Sequence, residues 1–170
     1  MRRLRYQVAV SLDGYIAAPG DDASWIPMDP DIDFAELFAQ FDTFLMGRRT
    51  WESSGAMAGG SRTIVVSTTL DPSDHPSITV IGDDFESRIR ALKEEAGKDI
   101  WLFGGGTLFR SLLAAGLVDT VEPAVVPVLL GAGVPFLPPG PELRKRLTLA
   151  AHRIYPKTGI TLLTYEVATD

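Results

Sequence analysis

The feature that most constrains this chain is a run of three glycines between a predicted strand and a predicted helix. Residues 100–103 are apolar and strand-like, Gly104-Gly105-Gly106 follow at once, and residues 107–115 have helical spacing that Gly116 closes. Glycine lets a backbone approach a ligand closely, and a helix N-terminus offers unpaired N–H groups to an anion. The segment predicts either an anion-binding turn or a tight connection that needs positive φ. It is not the G-x-G-x-x-G dinucleotide fingerprint.

A second segment repeats this arrangement with charged side chains. The apolar run 43–46 ends in Gly47, and a short helix is predicted over 48–53, beginning Arg48-Arg49-Thr50. A guanidinium pairs bidentately with a phosphate, and a threonine hydroxyl adds a donor. The alternative is a charged surface turn with a core tryptophan. Two such segments in one small domain favour a dinucleotide site more strongly than either does alone.

Ser67 follows the next β-branched run and is a candidate for contact with the cofactor. Its hydroxyl lies at the end of the predicted strand 62–67, with two threonines after it. It would either reach a 2′-phosphate or begin a turn. An arginine near that phosphate favours NADP over NAD.

The remaining elements alternate as in a layered α/β fold, and we expect a single domain over residues 1–170. Pro123 and Pro127 within the predicted strand 119–128 indicate an edge strand, a bulge or an early break. The last two strands predict an antiparallel hairpin turned by residues 156–159, which makes the sheet mixed, mostly parallel and covered by helices on both faces. The predicted strands are 4–10, 43–46, 62–67, 78–81, 100–103, 119–128, 147–155 and 160–167, and the predicted helices are 32–40, 48–53, 85–96 and 107–115.

Composition excludes several classes of function. The net charge of −6 argues against non-specific nucleic-acid binding. The chain has no cysteine and only two histidines, which rules out disulfides and argues against a metal centre. No stretch is long and apolar enough to span a membrane. We expect a cytoplasmic protein that binds no metal, nucleic acid or membrane.

Charge is unevenly distributed along the chain. Between Arg5 and Arg48 there is no lysine or arginine, whereas aspartates are frequent. This segment is either a solvated acidic loop or one side of a pocket that does not receive a phosphate.

These segments, in this order, resemble the dihydrofolate reductase superfamily. The closer resemblance is to the reductase domain of the riboflavin-biosynthesis deaminase–reductases, which reduces 5-amino-6-(5-phosphoribosylamino)uracil, and to its single-domain relatives. The resemblance covers nearly the whole chain. The motifs that carry it are Ser11-Leu12-Asp13-Gly14, Met46-Gly47-Arg48-Arg49-Thr50-Trp51-Glu52, Gly104-Gly105-Gly106-Thr107-Leu108 and Pro127-Val128-Leu129-Leu130-Gly131.

The resemblance implies a three-layer α/β/α fold with NADPH extended across the carboxyl edge of the sheet. Gly47, Arg48, Arg49 and Thr50 would hold the adenosine-side phosphates, with Ser67 nearby. Gly104, Gly105, Gly106, Thr107 and Leu108 would hold the pyrophosphate. Backbone groups of Ala9 and Ile16 would contact the nicotinamide carboxamide. Trp25 and Phe34 would lie where the substrate meets the nicotinamide.

The resemblance also implies a carboxylate that holds the substrate ring, and Asp31 and Asp33 are its two candidates. Either could instead be only a helix N-terminal acid. Asp13 is expected to fix its loop rather than to catalyse. Because Asp29, Asp31 and Asp33 would repel a phosphate, we expect a neutral or protonatable heterocycle in preference to the phosphoribosyl precursor of riboflavin.

The resulting prediction is an NADPH-dependent reductase of a pterin- or pyrimidine-like molecule. Two alternatives stay open: an NADP(H)-binding module without turnover, and a purely structural domain. A homodimer is expected through residues 125–134 and 162–165, although core packing explains the same apolar residues almost as well.

Overall fold

The computed structural model describes residues 1–54 and 61–168 and contains a large mixed sheet beside a small one. The strands are β1 Leu4–Ser11, β2 Tyr15–Ala17, β3 Phe41–Gly47, β4 Arg62–Val66, β5 Thr79–Ile81, β6 Asp99–Gly104, β7 Thr120–Val126, β8 Val134–Pro135, β9 Leu147–Tyr155 and β10 Ile160–Val167. The helices are α1 Phe34–Ala39, α2 Arg48–Ser54, α3 Phe85–Glu94 and α4 Gly106–Ala114. The single-domain prediction for 1–170 includes 55–60 and 169–170, which lie outside the described residues.

The eight-stranded sheet has the order β5-β4-β3-β6-β1-β7-β10-β9. Neighbouring strands are parallel from β5 to β7, and β10 is antiparallel to both β7 and β9. The predicted α/β class, mostly parallel sheet and C-terminal hairpin are therefore confirmed. Because β3, β6 and β1 are parallel neighbours, the turns that follow them meet at one edge of the sheet.

Helices cover the sheet on both faces, which gives the predicted three layers. On one face α3 and α4 pack through Ile89, Leu112 and other apolar residues onto Leu4 and Leu102. On the other, α1 and α2 supply side chains that pack around Phe44 and Trp101. We call this second side the α1–α2 face. A third apolar cluster on the same face, around Val126, Tyr155 and Ile160, continues it toward the hairpin.

The four predicted helices are all present, but their ends differ by one or two residues: α1 begins at Phe34 rather than at residue 32, because Asp33 is its N-cap. α3 ends at Glu94 rather than at residue 96, because Glu95 is already extended (ψ 156°). Ala96 therefore lies beyond the helix and is exposed. Gly116 closes α4 as predicted, with φ +68° and Leu117 N donating to Leu112 O over 2.9 Å.

The edge-strand interpretation of Pro123 is wrong, because β7 lies inside the sheet between β1 and β10. On the β1 side, Pro123 is paired with Val8. On the β10 side, Ala124 is paired with Leu162 and the next pair is Val121 with Tyr165, so Pro123 lies between two pairs. A proline cannot donate to a ladder, so the sheet tolerates it where the pairing with β10 is interrupted. The early break is confirmed, since β7 ends at Val126, immediately before Pro127.

The small sheet of β2 and β8 was not predicted, since the two strands have only three and two residues. It joins the loop after β1 to the loop after β7, with Phe136 N donating to Gly14 O over 2.9 Å. Among the described helices, none has the length and apolar character that crossing a membrane requires.

Candidate functional site

The two glycine turns predicted to bind phosphate come together at the carboxyl edge of the sheet. β3 pairs with β6, and Met46 lies opposite Gly104. The Thr50 hydroxyl packs against the second turn so closely that a Cβ on Gly104 would lie 3.3 Å from it, and one on Gly105 3.4 Å. At Gly104, where φ is +148° and a Cβ would be tight, the absence of a side chain lets the two turns approach each other.

The start of α4 has the features of an anion site. Gly105 is the N-cap and contributes no capping side chain, and the Gly104–Gly105 peptide bond is cis. The N–H groups of the first helical turn, over Gly106, Thr107 and Leu108, thus have no side-chain cap and carry the positive end of the helix dipole. All five residues from Gly104 to Leu108 line the same cavity.

Arg48 connects the first turn to the end of β4. Its guanidinium donates to Thr69 Oγ1 (2.7 Å) and pairs with Glu52 (2.7 Å). Thr69 Oγ1 is 3.3 Å from Ser67 Oγ, which also accepts from the backbone N–H of Leu70 at 3.1 Å. Ser67 thus forms the turn that was its alternative role. It lies outside the cavity lining but is connected to Arg48 through Thr69.

Arg49 occupies the rim rather than the floor of the site. Its side chain is 81% exposed and pairs with Asp21 across 3.1 Å. Both residues line the cavity, so this ion pair bridges the start of α2 and the loop after β2.

The cavity is large enough for a dinucleotide and a second ring, at about 940 Å³. Its floor includes a row of residues across four adjacent strands, namely Ala9, Ala124, Leu162 and Arg153. Small and aliphatic side chains in this row leave a flat surface on the α1–α2 face. Ile16 and Gly47 line the walls.

At the end beside α1, the structure distinguishes the two candidate carboxylates. Asp33 lines the cavity and is the N-cap of α1, accepting from Glu36 N at 2.9 Å. Asp31 lies outside the lining and accepts from Lys157 Nζ at 2.7 Å, which raises the pKa of that lysine. The helix N-terminal interpretation holds for Asp33, but its position at the cavity keeps it as the candidate for substrate contact.

The two predicted substrate-binding aromatic residues lie apart. Phe34 lines the cavity at the start of α1. Trp25 does not; its indole donates to Asp22 O (3.1 Å), and its ring packs against the cluster of Val126, Tyr155 and Ile160. Ile26 and Pro27, which follow it, line the cavity instead.

Two of the three carboxylates in the charge argument against a phosphorylated substrate, Asp29 and Asp31, lie outside the cavity lining. Asp31 is paired with Lys157, and buried Asp29 accepts from Thr158 Oγ1 at 2.6 Å, a bond that lowers its pKa. Both residues are held by the turn between β9 and β10. That turn is more than a hundred positions away in sequence, so no local sequence pattern reveals these contacts. A cation, Arg153, also lines the cavity, and its guanidinium lies 4.7 Å from the centre of the Tyr155 ring.

Asp13 fixes two loops together, as predicted. It accepts from Ser11 Oγ (2.6 Å) and from the N–H groups of Leu130 (3.1 Å) and Gly131 (2.7 Å). These hydrogen bonds, the Ser11 hydroxyl first, lower the pKa of Asp13 to about 2. The carboxylate does not line the cavity but holds the loops from which β2 and β8 extend into its wall.

Sequence reasoning missed several polar residues of the lining, among them Gln7 and Arg153. Both lie in the middle of strands, where alternation alone does not distinguish a cavity from solvent. Among the described residues, no cluster of histidine, aspartate and glutamate could hold a metal ion.

Fold and cavity together define a dihydrofolate-reductase-like α/β protein. Residues 2–160 match the family model of the RibD C-terminal domain, and the chain belongs to that family. An uncharacterized Bacillus subtilis protein, YyaP, is 33% identical over 151 residues, covering 79% of this chain and 80% of its own.

Solved structures show the same fold at low sequence identity. A putative riboflavin biosynthesis protein from Shewanella sp. PV-4 superposes with a TM-score of 0.80 at 22% identity, covering 99% of this chain and 100% of its own. Dihydrofolate reductase of Enterococcus faecalis, crystallised with NADP(H), has a TM-score of 0.71 at 17% identity and covers 98% and 97%.

Proposed function

We propose that this chain is an NADPH-dependent reductase of a small pterin- or pyrimidine-like heterocycle. The proposal rests on one observation, a single continuous cavity. This cavity runs from the two glycine turns, past Ala9 and Ile16, to Asp33 and Phe34 beside α1. It therefore offers phosphate-binding groups at one end and a pocket for a flat ring at the other.

The residues present fit NADP(H) in particular. The start of α4 would hold the pyrophosphate through its backbone N–H groups. Arg48, with Thr69 and Ser67 beside it, offers a cation and two hydroxyls to a 2′-phosphate. Because Gly104 and Gly105 have no side chains, none of theirs blocks the surface between the two turns, along which the cofactor would extend.

The catalytic contribution of the chain is mainly orientation. Bound NADPH supplies a hydride to an electrophilic carbon, such as that of a C=N bond. Ala9 and Ala124 provide a flat floor on which two rings can lie in contact, and the apolar wall of Leu37 and Phe38 excludes water. Asp33 is placed to hold an N–H of the substrate ring, which would orient it. The proton that completes the reduction comes from solvent or from an acid in the cavity.

The proposal is tested by NADPH consumption with a panel of pterins, dihydropterins and pyrimidines, both free and phosphorylated. Turnover of at least one of these compounds supports a reductase. Cofactor binding without turnover of any of them would favour the NADP(H)-binding module instead, and absence of cofactor binding would exclude both.

A further inference from the structure

Gln7 places a buried, unpaired amide at the cavity. It lies in the middle of β1, is 8% exposed and lines the cavity. Its Oε1 is buried and has no hydrogen-bond partner, and no hydrogen bond reaches its Nε2 from the residues that the structure describes. The pair of polar groups on this side chain is therefore unused by the fold.

The neighbours of Gln7 explain why it has no partner. Beside it in β7 is Glu122, but both carboxylate oxygens accept from Arg5 (2.8 and 2.9 Å), and one also accepts from Thr120 Oγ1. On the other side, the Trp101 indole donates to the backbone oxygen of Gln7 and not to its side chain. The hydrogen bonds of both neighbours thus go to groups other than the Gln7 side chain.

An unpaired buried amide destabilises a folded chain, commonly by about 1–3 kcal/mol. Methionine or leucine would fill the same space without that penalty. Buried polar groups without partners are few in folded proteins, and a group of this kind beside a cavity is explained when a ligand completes its hydrogen bonds.

The position of Gln7 indicates which part of a ligand it meets. Side chains alternate along a strand, so Gln7 and Ala9 point to the same face about 7 Å apart. Gln7 is therefore displaced from the Ala9–Arg153 row toward α1. The residues around it in the cavity are flat or apolar, including Trp101, Leu37 and Phe38.

We infer that the Gln7 carboxamide recognises the lactam edge of the substrate, where a ring N–H stands beside a carbonyl. A carboxamide presents one acceptor and one donor side by side, which complements that edge with two hydrogen bonds, as glutamine does on a base edge. The inference rests on the proposed function and makes it more specific. The substrate class is a pteridine or pyrimidine that carries an unsubstituted –NH–CO– edge.

The test measures binding of matched probes in the presence of saturating NADP⁺, so that no turnover occurs. The probes are pterin with 3-methylpterin and lumazine with 3-methyllumazine, because the methyl group removes the N–H of the lactam edge. We expect the natural chain to bind each unmethylated probe at least about tenfold more tightly than its methylated partner. Equal binding within both pairs, or no binding of any of the four, would overturn the inference.

Two variants assign the discrimination to Gln7. Gln7→Met keeps the length but removes both polar groups, and Gln7→Glu keeps the shape but cannot donate. Gln7→Met should lose the preference for the unmethylated probes. Gln7→Glu should keep that preference, because its carboxylate still accepts from the ring N–H, but it should bind all four probes more weakly, because it cannot donate to the carbonyl. The control is Glu86→Met, at an exposed position of α3 that lies outside the cavity lining. It should keep the preference.

Thermal unfolding separates ligand recognition from a structural role. Because Gln7→Met removes an unsatisfied group, its melting temperature without ligand should rise, by about 2–4 °C. A fall would mean that the amide stabilises the fold and would contradict the inference. Cofactor titration of the same samples separates the two proposals: no NADP⁺ binding defeats the proposed function, whereas normal NADP⁺ binding without probe discrimination defeats only the inference about Gln7.

Discussion

Gly106, the first residue of α4, packs directly against the backbone of Pro135 in β8. A Cβ at Gly106 would lie 2.6 Å from the Pro135 carbonyl oxygen and 2.8 Å from the Pro138 ring. The small sheet therefore presses on the helix start that we assign to the pyrophosphate, and only a residue without a side chain fits between them.

Gly106→Ala should accordingly destabilise the protein and weaken NADPH binding together. The methyl group must displace backbone, so we expect the free energy of unfolding to fall by about 1–3 kcal/mol. Denaturant unfolding and cofactor titration measure the two effects. Gly82→Ala is the control, because a Cβ there meets nothing within 4 Å. Equal stability of the two variants would show that the contact with Pro135 does not restrict this position.

Asp13 should make part of the stability depend on acid. Its pKa in the folded chain is about 2, against an ordinary 3.8. A lowered carboxylate pKa contributes stability that is fully present above the unfolded value and is lost as the pH falls through the folded value. The loss should therefore occur between about pH 4 and pH 2 and be smaller in Asp13→Asn, as measured by unfolding at each pH. Asp83→Asn, at an exposed site before α3, should retain the full loss. Parallel acid profiles for Asp13→Asn and the natural chain would contradict this role.

Asp33 and Asp31 should differ sharply when each is changed to asparagine. Asn is as good an N-cap as Asp, so Asp33→Asn should leave stability unchanged while lowering turnover of the best substrate in the panel by about a hundredfold. Asp31→Asn should leave turnover within about twofold, because Asp31 is paired with Lys157 outside the cavity. Steady-state turnover rates of the two variants test which carboxylate contacts the substrate. A larger loss in Asp31→Asn would reverse the assignment.

The predicted homodimer uses residues 125–134, where Leu129 is 70% exposed, and residues 162–165, which lie beside β9 in the sheet. On β9, Leu149 and Ile154 are 51% and 60% exposed. They pair with Tyr165 and Thr161, and the bulge between Thr164 and Tyr165 brings both onto the face opposite the cavity, whereas Leu162 lines the cavity. We expect sedimentation to show a dimer that Leu149→Glu with Ile154→Glu dissociates. Dissociation by Leu129→Glu alone would favour the 125–134 segment, and a monomeric natural chain would contradict both.

The sequence was enough to predict the architecture because its determinants are local. Glycine at the ends of β3 and β6 marks strand-to-helix turns, and alternation or helical spacing identifies the elements on either side. We place the proposed phosphate end of the site at the same turns, because parallel neighbours bring their carboxyl ends to one edge.

Other parts depend on partners that are distant in sequence. Asp31 is bonded to Lys157 and Asp29 to Thr158, outside the cavity lining, and the sequence near the two aspartates does not indicate these partners. Pro123 was assigned to an edge because a proline breaks a ladder, but an interrupted ladder accommodates it inside the sheet. Gln7 was overlooked because an isolated amide in a strand is conspicuous only once its neighbours are known to be paired elsewhere.

Calorimetric titration with NADPH and with NADH tests the central claim most directly. We expect saturable NADPH binding, with NADH at least about tenfold weaker because it lacks the 2′-phosphate that Arg48, Thr69 and Ser67 would hold. Arg48→Met should remove most of that difference, whereas Arg90→Met, an equal change of charge at an exposed position of α3, should preserve it. Absence of NADPH binding at millimolar concentration, or equal binding of the two cofactors by the natural chain, would contradict the account.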